Sequence, residues 1–119
     1  MEISHRIVAD AVVVSCQGNR LDAQVALKFK DAFRDLTEFT QTRYILDMSQ
    51  INFMDSSGLG AVVAVYKMIG PDKTLDLAAL TPAVDRVFKL TRMDSVFGIF
   101  PDPQAALEAA RNGAGRAAG

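Results

Sequence analysis

Disulfide chemistry is closed to this chain, because its 119 residues include a single cysteine, Cys16. One thiol cannot form an intramolecular bridge, so a reducing compartment is the expected setting. Cys16 ends an apolar run that begins at Ala11 and reads as a small buried apolar residue. Histidine is equally scarce. His5 stands alone in a strand-like segment, and no group of His, Cys and Asp has metal-ligand spacing. Neither sign of charge dominates: 13 basic and 14 acidic residues leave a formal net charge of -1. With no basic stripe, there is no electrostatic case for nucleic acid or an anionic membrane as partner. Long hydrophobic runs are missing as well. No stretch reaches bilayer-spanning length, and residues 1–6 alternate polar and apolar where a signal peptide would be continuously apolar. A cytoplasmic protein without a cofactor is expected.

What is present suffices for one domain. Half of the residues are hydrophobic, enough for a single core at this length. Two β-rich runs, 3–9 and 11–17, flank a turn at Asp10 and predict a hairpin. Gly18 and Asn19 break the pattern. Asp22 then offers an N-cap for a helix whose apolar positions are Val25, Ala26, Phe29, Ala32, Phe33 and Leu36. Residues 44–48 read as a strand covered on both faces, as in a mostly parallel sheet. A loop over 49–55 leads to a second helix, from about Ser57 to Ile69, with Leu59, Val62, Val63, Tyr66 and Ile69 as its buried face. Residues 75–80 form the next strand. Thr81-Pro82 supplies a cap and a proline at the first helical position, opening a third helix lined by Val84, Val87, Phe88 and Thr91. A short strand over 96–100 and a last helix over 105–111, announced by Asp102-Pro103, complete the domain. The alternation predicts an α/β fold with a mixed, mostly parallel sheet and about four helices packed mainly on one side. The domain is expected to span 1–111. The Gly/Ala/Arg tail, 112–119, has nothing to bury and reads as disordered.

One segment stands out chemically: Asp55-Ser56-Ser57-Gly58-Leu59-Gly60, between a buried strand and a helix. Ser and Asp at a helix start are ordinary caps for unpaired backbone N–H groups. Gly58 and Gly60 fit that account less well, since each weakens a helix by about 1 kcal/mol relative to alanine. Two glycines so close together suggest something approaching the backbone, yet on composition and spacing alone simple capping stays the leading reading. Enzymatic readings fail on their requirements. A serine hydrolase elbow needs Gly-x-Ser-x-Gly, and Met54 or Asp55 stands where its first glycine belongs. Neither the P-loop nor the dinucleotide fingerprint occurs. Asp47 and Asp55 are not tied into a carboxylate pair by any pattern. A non-enzymatic protein is expected.

Leu46-Asp47-Met48 followed by Phe53-Met54-Asp55-Ser56-Ser57-Gly58-Leu59-Gly60 closely resembles the STAS domain of bacterial anti-sigma factor antagonists. Gly18-Asn19-Arg20-Leu21-Asp22 is similar to that family's Gly-x-Leu-Asp turn, with one extra residue. Thr81-Pro82-Ala83-Val84, with Val87-Phe88, is similar to its third-helix entry. The resemblance spans roughly 3–110. It implies that Ser56 is phosphorylated by a partner that is both anti-sigma factor and serine kinase. It further implies that the unphosphorylated form binds this partner and frees a sigma factor, and that a PP2C-type phosphatase restores it. Carried onto this chain, the contact face comprises Asp22, Met54, Asp55, Ser56, Ser57 and Gly58, on a protein expected to be monomeric when free.

Several assignments stay open on residues alone. Ser57 is also within a kinase's reach, and Asp55 serves either as a helix-dipole carboxylate or as a contact. Asp22 is either a cap or part of the partner surface. Met54, with its adaptable thioether, is placed outside in a contact patch and Phe53 in the core. Arg20, Lys28 and Arg34 offer a charged rim. Rival functions of the same fold are a subunit docking on the ATPase of a lipid-transport system, a scaffold component of a stress-sensing assembly, and a small-molecule or nucleotide binder. The Ser56 hydroxyl argues against the first, and the missing phosphate-binding motif against the last.

Overall fold

A computed structural model describes residues 2–111; the expected tail at 112–119 lies outside them. Strands β1 (Ile3–Val8) and β2 (Ala11–Cys16) form the expected antiparallel hairpin. β2 then pairs in parallel with β4 (Arg43–Asp47), β4 with β6 (Thr74–Ala78), and β6 with β7 (Gly98–Phe100). The order β1-β2-β4-β6-β7 is a mixed sheet with only its first pair antiparallel. Helices α1 (Ala26–Arg34), α2 (Ser56–Met68), α3 (Pro82–Leu90) and α4 (Pro103–Arg111) connect or follow the strands.

Strand alternation divides the core in two. Val12, Val14, Tyr44, Leu46, Leu75 and Leu77 face α1, α2 and α3, packing against Phe29, Phe33, Val62, Val65, Val84 and Phe88. Val13, Ile45 and Ala78 point the other way and meet Ala106 of α4. Three helices therefore cover one face and one covers the other. On the α4 side, Arg43 donates to the Ala106 carbonyl at 2.9 Å and pairs with buried Asp76 at 3.5 Å. On the larger side, the buried Tyr44 hydroxyl donates to the Leu36 carbonyl just past α1.

Three local expectations need correction. α1 begins four residues beyond Asp22, with Val25 at the cap position. Asp22 instead closes a preceding turn, its carboxylate accepting from the Gln24 N–H at 3.1 Å and its carbonyl from the Ala26 N–H at 2.9 Å. Of the expected buried face of α2, Val62 and Ile69 are buried, Leu59 and Val63 only partly so and Tyr66 is exposed, while Gly58, Ala61 and Val65 are buried where none was expected. The helix is apolar around most of its circumference, so bulk did not mark the inward side; the small residues face inward because main chains approach there. Thr81 precedes α3 as expected, but its hydroxyl donates to the Ile51 carbonyl at 2.7 Å instead of capping the helix.

Cys16 is buried, as its apolar run implied. Burial, and secondarily the charge of Asp47, push its thiol from 9.0 up to about 12. Between those values the folded chain keeps a proton that the unfolded chain has released. The Cys16 contribution is therefore complete below about pH 9 and is lost as pH rises toward 12. Urea midpoints should fall across that alkaline window. Cys16→Ala, although less stable at every pH through its lost packing, should show a shallower alkaline decline. Equal slopes for the two proteins would remove this assignment.

Candidate functional site

The expected loop over 49–55 contains a strand that its sequence did not announce. Phe53–Met54 forms β5 and pairs in parallel with β3 (Arg20–Leu21), with Arg20 opposite Phe53 and Leu21 opposite Met54. The Asn52 N–H extends the pairing to the Asn19 carbonyl at 2.8 Å. This two-stranded ribbon carries the chain from the main sheet into α2.

The ribbon decides which side chains face out, and it reverses one expectation. Met54 is 6% exposed and Phe53 49% exposed, so the thioether belongs to the core and the aromatic ring to the surface. In strands of two residues the side assigned to each comes from the partner strand and from Gly58 beneath Met54. Neither residue's hydrophobicity could settle it.

Asp55 links both halves of the site. Its backbone is extended at φ -108 and ψ -172, and its Oδ1 accepts from the Gly58 N–H at 2.9 Å as the N-cap of α2. Its Oδ2 accepts from the Ala23 N–H at 3.3 Å, in the turn that precedes α1. One half-buried carboxylate thus joins the starts of two helices. Ser56 and Ser57 follow as the first two residues of α2, and both are exposed.

Gly58 explains the glycine signal in the motif. A Cβ at this position would stand 1.9 Å from the Leu21 carbonyl oxygen and 2.8 Å from its carbon. The group that approaches the backbone is therefore β3 of the same chain. Gly60 is different: a Cβ there meets nothing within 4 Å. Of the six residues placed on the contact face, the structure brings all to one end of the molecule but exposes them unequally. Ser56 and Ser57 are open and Asp55 is half-buried, whereas Met54 and Gly58 are buried. Asp22 is buried too, at 6% exposure, with its carboxylate held by the Arg20 Nε at 2.7 Å. It supports the turn from within, accepting the Gln24 and Ala26 N–H groups. Sequence reasoning missed Phe53 as a surface residue; the Arg20 guanidinium lies over its ring, 5.7 Å from the centroid.

Among the described residues no group of three or more His, Cys, Asp or Glu is arranged to hold a metal ion. Nor is any helix among them long and apolar enough to cross a membrane.

Residues 2–106 match the model of the STAS domain, nearly the full described length. The chain belongs to the STAS domain family. This STAS chain is 27% identical over 108 residues to the anti-sigma-F factor antagonist RsfB of Mycobacterium tuberculosis, covering 89% of this chain and 88% of that protein. Its fold is similar to the crystal structure of an anti-sigma factor antagonist from Mycobacterium paratuberculosis, with a TM-score of 0.80, 26% identity, and coverage of 92% and 95% of the two chains. An anti-sigma-factor antagonist (STAS) domain protein from Planctomyces limnophilus superposes with a TM-score of 0.83 at 23% identity, over 90% and 96% of the chains, and supports the fold alone.

The two glycines make opposite predictions. Gly58→Ala must drive β3 away from α2, because the clash is with backbone, and should destabilise the domain by about 3 kcal/mol or more. Gly60→Ala enters open space in a helix and should stabilise by about 1 kcal/mol. Urea denaturation of both variants beside the parent checks the pair; similar midpoints for the two would contradict the close approach.

Proposed function

We propose that this STAS protein is an anti-sigma factor antagonist that works by partner switching, with Ser56 as the switching residue. Its unphosphorylated form binds an anti-sigma factor that is also a serine kinase, so that the sigma factor is released. Phosphorylation of Ser56 blocks that binding, and a PP2C-type phosphatase reverses it. The reading rests on an exposed hydroxyl at the first position of α2, directly after the Asp55 cap, in a chain similar to proteins named as anti-sigma factor antagonists.

Magnitudes indicate how such a switch operates. A phosphate brings about -1.5 to -2 charges at neutral pH. The helix N-terminus favours that anion by about 0.3–1 kcal/mol at an exposed position. Asp55 opposes it by like-charge repulsion, so the local terms partly cancel. Placing an unpaired charge in a desolvated contact costs about 2–5 kcal/mol, and it acts on binding rather than on folding. The domain keeps its shape while the partner leaves.

The regulatory role needs no catalytic group on this chain. Nucleotide and Mg²⁺ positioning, the demanding parts of phosphoryl transfer, fall to the kinase. The STAS protein offers a hydroxyl held in a fixed position. Ser57, exposed beside it, is the neighbouring acceptor that the experiment must distinguish.

Incubation with a purified anti-sigma factor kinase and ATP, followed by peptide mass spectrometry, should place a single phosphate on Ser56 and none on a Ser56→Ala variant. Ser56→Asp should keep the parent far-UV spectrum and lose about thirtyfold or more in affinity for the same kinase. Equal affinity of the parent and Ser56→Asp would sink the switching role, and modification at Ser57 alone would move it by one residue.

A further inference from the structure

The outer side of the β3–β5 ribbon is largely left to solvent, apart from the pairing of Arg20 with Asp22. Leu21 and Met54 supply its core contacts, while Arg20 and Phe53, paired across the register, remain outside. A half-exposed phenylalanine taken singly calls for no explanation. This one is covered by a guanidinium that is itself held in place. Arg20 Cζ lies 5.7 Å from the ring centroid while Nε pairs with Asp22 at 2.7 Å. The Arg20 side chain is 56% exposed and that of Asp22 only 9%, so solvent meets mainly the cation of this ion pair. The arginine has surrendered its rotamer freedom before any partner arrives, which lowers the cost of ordering it in a complex. Arginine and aromatic side chains are also the types that contribute most to binding when an interface covers them.

Position ties the pair to the switching residue. Phe53 and Ser56 are three residues apart, and Asp55 between them accepts the Ala23 N–H. The segments 20–23 and 53–56 are thereby laced together, and Arg20, Phe53 and Ser56 are all exposed on them.

We infer that Arg20 and Phe53 form a preorganised docking platform, continuous with Ser56, for a partner surface that sets a carboxylate against the guanidinium and an apolar side chain against the ring. The occupant is the serine kinase of the preceding section, so the inference rests on that reading and adds to it the chemistry of the partner's contact. An acidic group is the complement because the exposed end of the Arg20–Asp22 pair is positive. The ring supplies an apolar surface beside it whose burial strengthens the ionic contact by excluding water. Affinity then depends on the platform, and whether the neighbouring hydroxyl is free or phosphorylated determines whether the platform is reached.

The test uses the full chain and the same purified kinase, with affinities measured by calorimetry for Phe53→Ala, Arg20→Ala, Arg20→Glu and Ser56→Asp. Far-UV spectra and urea midpoints identify any variant whose fold has suffered. Phe53→Ala and Arg20→Ala should each weaken binding about tenfold. The double variant should lose less than the product of the two, because ring and guanidinium act together. Arg20→Glu should bind more weakly than Arg20→Ala, since it sets two carboxylates against each other. Affinities of Phe53→Ala and Arg20→Ala within about twofold of the parent, beside a large loss for Ser56→Asp, would overturn the platform and leave the switch standing. Tenfold losses in the platform variants with no effect of Ser56→Asp would support the platform and count against the switch. Tighter binding by Arg20→Glu than by Arg20→Ala would overturn the acidic partner.

Discussion

The carbonyl of Leu21 occupies the space that a side chain at position 58 would need. Around that contact the rest of the site is arranged. β3 can lie against the first turn of α2 only because residue 58 has no Cβ, and the approach lets the Asp55 carboxylate reach both the Gly58 and Ala23 amides. Those two hydrogen bonds fix the start of α2 relative to the turn before α1. The same approach puts Leu21 and Met54 inward and leaves Arg20 and Phe53 outward. A single absent methyl group thus sets which faces of two segments, distant in sequence, meet solvent.

The architecture was legible because long-range order and local pattern agreed. The hairpin, the strand at 44–48, the three helices after it and the antiparallel first pair all follow from turn residues and apolar spacing that their neighbours do not contradict. The Asp-Ser-Ser-Gly segment was legible as a helix start, and Ser56 is exposed at its first position. The β3–β5 ribbon was not. Its strands have two residues each, too short for alternation to show, and their pairing depends on segments more than thirty residues apart. The exchange of Phe53 and Met54 follows from the same cause. In α2 the expected inward face followed side-chain bulk and found Val62 and Ile69, but missed Gly58 and Ala61, which are small and buried. Asp22 was ambiguous on residues alone; in the fold it is buried beside Arg20 and closes the turn before α1.

Rigidity and exposure are separated cleanly at this end of the molecule. The groups that hold the loop — Asp22, Asp55, Thr81 and the ribbon's backbone — are buried or spend their hydrogen bonds internally. Of the groups left outside, Arg20 alone also partners a buried charge, that of Asp22. Changes to Phe53 and Ser56 therefore act on what the surface meets, while changes to the inner groups, and to Arg20 through Asp22, act on stability as well.

Ser56 sits at the first helical position, its backbone already committed to α2 and its predecessor engaged at both carboxylate oxygens. An enzyme that modifies it cannot draw the segment out as an extended strand without breaking the cap. It has to receive an intact helix start, together with the ribbon alongside. A short synthetic peptide copying this stretch would present the same letters without that shape. Whatever meets Ser56 on the folded domain meets a tertiary form and not a linear stretch of sequence.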